Sequence, residues 1–316
     1  MSANSVLTGA RHTLHRHQGH YGWSPDQAPV VAIAPGDSVT LAIRDASDGV
    51  ITPHATAHDL VRLDPDRANP LTGPVAVEGA RPGDILLVEM LDFHYSGWGW
   101  TGILPGFGLL AEEFPDPFLV LSRHDERFVD FTSGIRLPVR PFTGTVGVAP
   151  PVSGRLSAIP PHQGGGNLDM RQIGRGSTLA LPVHVEHALL SVGDTHVAQG
   201  DGEVCGTAVE SPMSVELRVD LVRGGEPLTA PHVRYHASAV CAGTGEVQAT
   251  LGIGGDLMVA AADAVRRMID LLQKERGLSA ELAYCLCSVA GDLRISEVVN
   301  QPSWVVSLHL PLAVFD

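Results

Sequence analysis

The stretch "MSVELRVDLVRG" (213–224) alternates without a fault. Val215, Leu217, Val219 and Leu221 fall on one side, and Ser214, Glu216, Arg218 and Asp220 on the other. Side chains alternate across a strand and repeat every 3.6 residues on a helix, so this run is a half-buried strand of an antiparallel sheet. A sheet with one apolar face needs a second layer to cover it, and that requirement narrows the fold to a sandwich or a barrel. Two further runs share an entry. "APGDSVTLAIRD" (34–45) and "RPGDILLVEMLD" (81–92) each set Pro-Gly-Asp before an apolar alternation that puts Val39, Leu41 and Ile43 on one face. Pro fixes φ for the first central turn position and Gly supplies the second. "STLALPVHV" (177–185) and "SWVVSLHLP" (303–311) read as further strands. The 35 glycines and 23 prolines fit many short elements joined by tight turns.

The helical period surfaces only near the end. "DLMVAAADAVRRMIDLLQKERG" (256–277) carries Val265, Ile269 and Leu272 at helical spacing, with Gly277 placed to terminate it. "LSAELAYCLCSVAG" (278–291) predicts a second helix, capped by Ser279, with Leu282, Cys285, Leu286 and Val289 as its apolar face. A short helix is expected over 108–113 within an otherwise Gly/Pro-punctuated loop. The expected fold is mainly β with a smaller α+β part: a β-sandwich-like unit plus C-terminal helices. Residues 1–255 form the mainly β region with the catalytic loops, as one unit or two intertwined subdomains. Residues 256–316 supply the helical segment and a final strand packing on it.

Composition excludes several functions. A net charge of −14 argues against a nucleic-acid partner, which needs clustered cations. The single lysine, Lys274, lies in a helix-end pattern and cannot serve a Schiff base or a Ser–Lys dyad. No apolar run reaches the roughly 18 residues of a membrane span, and "MSANSVLTGARHTLHRHQGHYGW" lacks the apolar core of a signal peptide. Four cysteines are too few for a disulfide framework. A cytoplasmic protein without a membrane partner is expected, and its β-rich make-up with many apolar loops suggests a homo-oligomer. There is no G-x-S-x-G elbow, no G-x-G-x-x-G and no P-loop.

Chemistry concentrates in three glycine-punctuated segments. "RDASDGVITPHATAHDL" (44–60) holds Asp45, Asp48, His54, His58 and Asp59; "PPHQGGGNLDMRQIG" (160–174) holds His162, Asn167 and Asp169. The third, "SVGDTHVAQGDGEVCGTAVE" (191–210), packs Asp194, His196, Asp201, Glu203 and Cys205 among Gly193, Gly200 and Gly202. Histidine with carboxylates from separate loops is a common set of ligands for zinc or another divalent ion. Asp48-Gly49 and Asp201-Gly202 read as turns. His184 and His187 lie three apart on a predicted strand and face opposite ways. His12, His15, His17 and His20 read as an exposed arm. Cys205 reads as a nucleophile beside Glu203 or as a core thiol, with the second preferred.

These segments, in this order, resemble the acetamidase/formamidase family. "DASDGVITP", "NPLTGPVAVEGARPGDILLVEMLDF", "GWGWTGILPGFGLLAEEF", "GGGNLDMRQIGRGSTLALPV", "SVGDTHVAQGDGEVCGTAVE" and "LCSVAGDLRISEVVNQPSWVVS" carry the resemblance over residues 30–312. It implies hydrolysis of small carboxylic amides, formamide- or acetamide-like, to carboxylate and ammonia, with a divalent metal, zinc foremost. Asp45, Asn167, Asp169, Asp194, His196, Gln199, Glu203 and Glu210 match the family pattern, whereas His54, His58, His162, His184 and His187 depart from it. On that resemblance Asp45, Asp169 and His196 are expected to bind the metal, with Glu203 as general base. Asn167 and the backbone amides of 164–166 are expected to stabilise the oxyanion, and Gln199 to orient a ligand. Trp98, Trp100 and Phe107 are candidate pocket walls. A cyclic amide substrate, or a metal-binding β-protein without turnover, are the alternative readings.

Overall fold

The alternating run 213–224 forms strand Ser214–Val222, hydrogen-bonded on both sides. Its Leu217 stands opposite Val39 of Ser38–Ala42 and Met90 of Ile85–His94, and all three side chains are fully buried. The protein is described by a computed structural model covering residues 9–224, 226–237 and 245–315. From edge to edge, the nine-stranded sheet runs Arg11–Leu14, Ser38–Ala42, Ser214–Val222, Ile85–His94, Thr178–Pro182, His232–Ala237, Gly245–Gly254, Trp304–Pro311 and Asp292–Glu297.

A second, larger sheet runs through Ile135–Pro138, Phe128–Thr132, Phe118–His124, Trp98–Ile103, Val209–Glu210, Leu190–Ala198, Phe142–Gly147 and Gly165–Asn167. Strand Leu71–Val77 joins it beside Leu190–Ala198. The apolar faces of both sheets meet in one core. Val88, Leu179, Leu217 and Leu251 of the first are buried in the same cluster as Val75, Val146, Val192 and Val197 of the second. The expected mainly β, sandwich-like architecture with C-terminal helices is the one observed.

Helix Leu257–Arg276 starts at Asp256, whose carboxylate accepts from the Val259 amide, and ends at Gly277 in the left-handed conformation. It lies on the outer face of the nine-stranded sheet, burying Ala260, Ala264, Met268 and Leu272. A Cβ on Gly252 would sit 1.8 Å from the Ala260 carbonyl oxygen, so only glycine lets the helix approach this closely. The second helix, Ala280–Ala290, is capped by Ser279 as expected, but its buried face is not the expected one. Ala283 and Cys287 are buried, while Leu282, Cys285 and Val289 are exposed. The helix turns its small side chains toward the first helix, which permits close packing at the expense of exposing larger ones.

Two other expectations fail for local reasons. Residues 108–113 form turns rather than a helix, because Gly108 adopts φ +103° and the Leu109 amide donates to the Val204 carbonyl. The N-terminal histidines are only partly an exposed arm. His12 lies in a strand with its ring on Asp37 at 3.0 Å, and His20 bridges Gly22 and Ser191, where burial lowers its pKa to about 4.

Candidate active site

The chemistry gathers where three neighbouring strands of the larger sheet end in loops. Strand Leu190–Ala198 presents Asp194 and His196, and Glu210 lies directly across from His196 in the pairing with Val209–Glu210. On the other side Phe142–Gly147 pairs with Gly165–Asn167, which places Asn167 opposite Thr145 and leads into Asp169 two residues on. Glu203 arrives from the loop after Ala198. Asn167, Asp169, Asp194, His196, Glu203 and Glu210 are all buried.

Burying five such groups is costly unless they share charge, protons or a cation. His196 Nε2 lies 3.1 Å from both Asp194 Oδ1 and Glu210 Oε2. Its Nδ1 meets Gln199 Oε1 at 2.9 Å, and Gln199 Nε2 donates to the Asp169 carbonyl at 2.7 Å. A carbonyl cannot donate, so the Gln199 amide has one workable orientation and His196 Nδ1 must be the donor to it. Nε2 is thereby turned toward the carboxylates. Asp169 Oδ1, Asp194 Oδ1, His196 Nε2 and Glu210 Oε2 nonetheless make no contact of hydrogen-bond geometry, so the last three meet only as ion pairs. Two overlapping groups have donor atoms within 4.8 Å of one another, Asp169/His196/Glu203 and Asp194/His196/Glu210. Carboxylate oxygens grouped with an imidazole nitrogen, with no hydrogen bond to hold them, fit a divalent cation.

The protonation pattern carries the same strain. Burial, opposed by His196 and aided by Asp194, pushes the Glu210 carboxyl up to about 8. Burial and the Asp194 charge lift Asp169 to about 6, and burial with the Asp169 charge raises Glu203 well above the carboxylate range. Burial alone would lower His196, but Glu210 and Asp194 override it and raise it well above the histidine range. Asp194, opposite that imidazole, stays below its usual value despite burial. One imidazolium can hold only one carboxylate ionised, so the others keep protons and the set titrates as a unit.

The backbone is strained at the same place. Asn69, Asp169, Asp194 and Glu203 have φ between 42° and 51°, a region side chains rarely adopt. Such strain clusters where surrounding structure holds a working geometry. Asn69 donates to Asn167 Oδ1 and to Asp194 Oδ2, each at 3.2 Å. Thr145 also donates to Asn167 Oδ1, and Asn300 donates to Asp169 Oδ2 at 2.5 Å. Beneath them Gly144 leaves the room they need. A Cβ there would lie 2.5 Å from Asp169 Oδ1 and 2.8 Å from both Asp194 Oδ2 and His196 Cε1.

The structure thus brings together Asn167, Asp169, His196, Gln199 and Glu203 from the expected set, and adds Asp194 and Glu210. Asp45 is elsewhere. Its carboxylate accepts from Ser47, from the Gly49 amide at 3.1 Å and from Trp100 Nε1 at 2.9 Å, which leaves it a turn-and-wall anchor rather than a member of either group. The glycine-run amides are also committed, Gly164 to His162 Nδ1 and Gly165 to the His162 carbonyl. His54 and His58 are exposed, and His187 falls in a positive-φ loop beyond the strand end at Pro182. Asp201 pairs with Arg171 at 2.7 Å, and the thiol of half-buried Cys205 lies against the carbonyls of Thr207 and Gly102. Asn69, Thr145, Gly144 and Asn300 were missed. Asn300 lay inside a run resembling the family, and a glycine within a strand, as at Gly144, signals close approach.

A buried acid–histidine cluster that opens on a cavity in a two-sheet β-protein is a candidate catalytic centre, and known relatives of the chain give it a class. The model of the Acetamidase/Formamidase family matches residues 9–156 and 152–316. The chain is 31% identical to an acetamidase of Mycolicibacterium smegmatis, over 66% of each chain, and 28% identical to a formamidase of Methylophilus methylotrophus, over 95% of this chain and 90% of that one. A crystal structure of an acetamidase from Bacillus halodurans superposes with TM-score 0.87 at 33% identity, covering 96% of this chain and 98% of that one. The chain belongs to the acetamidase/formamidase family, and the expected class, a hydrolase of carbon–nitrogen bonds other than peptide bonds in linear amides, is borne out.

Proposed function

We propose that the cluster hydrolyses a carboxylic amide to a carboxylate and ammonia with the help of one divalent cation, which we read as zinc. The observation that carries this is the pair of buried donor groups sharing His196, Asp169/His196/Glu203 and Asp194/His196/Glu210, in which four atoms make no hydrogen bond of good geometry. His196, Asp194 and Glu210 would hold the ion, with Asp169 alongside. Bound there, it would supply Lewis-acid polarisation of the amide carbonyl and make water acidic enough to react near neutral pH.

The chain's own groups account for the rest. Glu203 takes a proton from the attacking water and returns it to the leaving nitrogen. Its carboxyl lies within the same ligand group as Asp169 and His196, so the proton moves only a short way. Two donors, Thr145 and Asn69, fix Asn167 Oδ1, which leaves Asn167 Nδ2 for the developing oxyanion. Gln199 holds the His196 ring and the Asp169 backbone in register. We place the enzyme in a reducing cytoplasm, in keeping with unpaired Cys205, Cys285 and Cys287, and as a homo-oligomer that covers exposed Leu282, Val289 and Leu293. Sedimentation of the purified chain tests the last point.

Ammonia release from formamide and acetamide, before and after chelator dialysis and with zinc restored, tests the function. Loss on chelation with recovery on add-back is expected. Full turnover by metal-free protein would sink the metal part, and no turnover of any amide would sink the whole.

A further inference from the structure

The acid–histidine cluster opens on a cavity of about 440 Å³. That lies in the range that takes drug-sized ligands, whereas formamide and acetamide have only a handful of atoms. Asn167, Asp169, Asp194, Glu203 and Glu210 line part of it. The remaining wall is apolar: Leu60, Leu63, Trp100, Leu104, Phe107 and Ile159. Among the described residues no Lys, Arg or His lines the cavity. Beyond the cluster, the polar side chains among these lining residues are Asn69, Thr207 and Asn300, and Asn69 and Asn300 already bond the catalytic carboxylates. An anionic substituent would find no cationic side chain here, and a cationic one would meet only the carboxylates of the cluster itself, while an apolar one would displace water from apolar wall.

The wall is also rigid. Asp45 holds the Trp100 indole at 2.9 Å, and Trp100 packs with Leu60 and Ile51 in a buried cluster of its own. Leu60 in turn rests on Gly102, where a Cβ would come within 3.1 Å of it. Preformed apolar walls spend no free energy on ordering when a ligand arrives.

We propose that this active site prefers primary amides with an uncharged apolar acyl group of roughly five to nine carbons over formamide or acetamide. The inference rests on the amidase reading and specifies its substrate class. The reaction is unchanged: the water oxygen bonds to the carbonyl carbon, the carbon–nitrogen bond breaks, and one water with one amide gives one carboxylic acid and one ammonia. Asp45 acts as a positioning residue for the Trp100 wall and touches no reacting atom.

The test is kcat/KM for formamide, acetamide, butyramide, hexanamide, phenylacetamide and succinamate, measured on the full metal-loaded chain. Each methylene moved from water onto the wall should raise kcat/KM roughly fourfold, so hexanamide should exceed acetamide by on the order of a hundredfold. Phenylacetamide should match hexanamide, and succinamate, with its carboxylate, should fall to the acetamide level or below. An enzyme that prefers formamide or acetamide overturns this inference and leaves the amidase reading standing. Ammonia from none of the six overturns both. Ala46 also lines the cavity; Ala46→Leu adds bulk to the wall and should cut the hexanamide-to-acetamide ratio about tenfold, and an unchanged ratio places the acyl group elsewhere and overturns the inference.

Discussion

Replacing Gly144 by alanine adds one carbon atom to a strand that accepts alanine readily, yet that atom has nowhere to go. Gly144 lies inside Phe142–Gly147, and no positive φ makes glycine necessary there. The new Cβ would stand 2.5 Å from Asp169 Oδ1, whereas ordinary contact begins at 3.4 Å, so one side must give by 3.4 − 2.5 = 0.9 Å. The neighbours cannot give freely. Asp169 is tied to Asn300, and His196 to Gln199. A misplacement near 1 Å costs about a hundredfold in rate, equivalent to about 2.7 kcal/mol of transition-state stabilisation. Overpacking should lower stability by a further 1–3 kcal/mol or so. Ammonia release, thermal melting and metal content by mass spectrometry read the three consequences separately. Wild-type kcat/KM with full metal content in Gly144→Ala would refute the placement of the ion above this glycine.

Other substitutions separate the roles. Asp45→Ala should keep full metal stoichiometry while leaving the Trp100 indole and Ser47 donors unpaired, at about 1–3 kcal/mol of stability each; loss of metal would return Asp45 to the ligand set. Glu203→Gln should fold normally and lose about 10²–10⁴-fold in kcat, and near-normal turnover would remove Glu203 as base. In metal-free protein, Glu210 and Glu297 both titrate near 8, chiefly through burial, and His196 titrates well above its usual value. Between about pH 6.5 and 8, above the range where buried His20, His162, His232 and His309, each lowered to about 4, act in the opposite sense, the folded state then holds protons that the unfolded state has released. Its melting temperature should therefore fall as pH rises through that window, and a divalent ion, by displacing the proton at Glu210, should reduce the slope. A melting temperature that climbs with pH in metal-free protein counts against this proton inventory.

Strands were legible wherever one face is wet, as in Ser214–Val222, because alternation records that asymmetry directly. The helix caps at Gly277 and Ser279 were legible for the same local reason. The face of the second helix was not. Leu282 and Val289 look like core by composition, but close packing selected Ala283 and Cys287. Within the site, Asp169, His196, Gln199, Asn167 and Glu203 could be found because they lie in runs that resemble a family. Asp45 shared that signal and still proved to be an anchor, since a motif says that a residue matters and not which neighbour its oxygens meet.

Spacing along the chain carried the layered sheets and the C-terminal helices, and composition the acidic, lysine-poor character. Amide hydrolysis was carried by the resemblance of the histidine–carboxylate runs to a known family. The folded chain set the rest: which carboxylates share His196, that Gly144 makes room for them, and that Leu60, Leu104 and Ile159 join the expected Trp100 and Phe107 around one cavity. Distance along the chain explains why. Asn69 and Asp194 meet from positions 125 apart, and Asp169 and Asn300 from positions 131 apart. No local pattern encodes such contacts; they exist only once the sheets have closed on their common core.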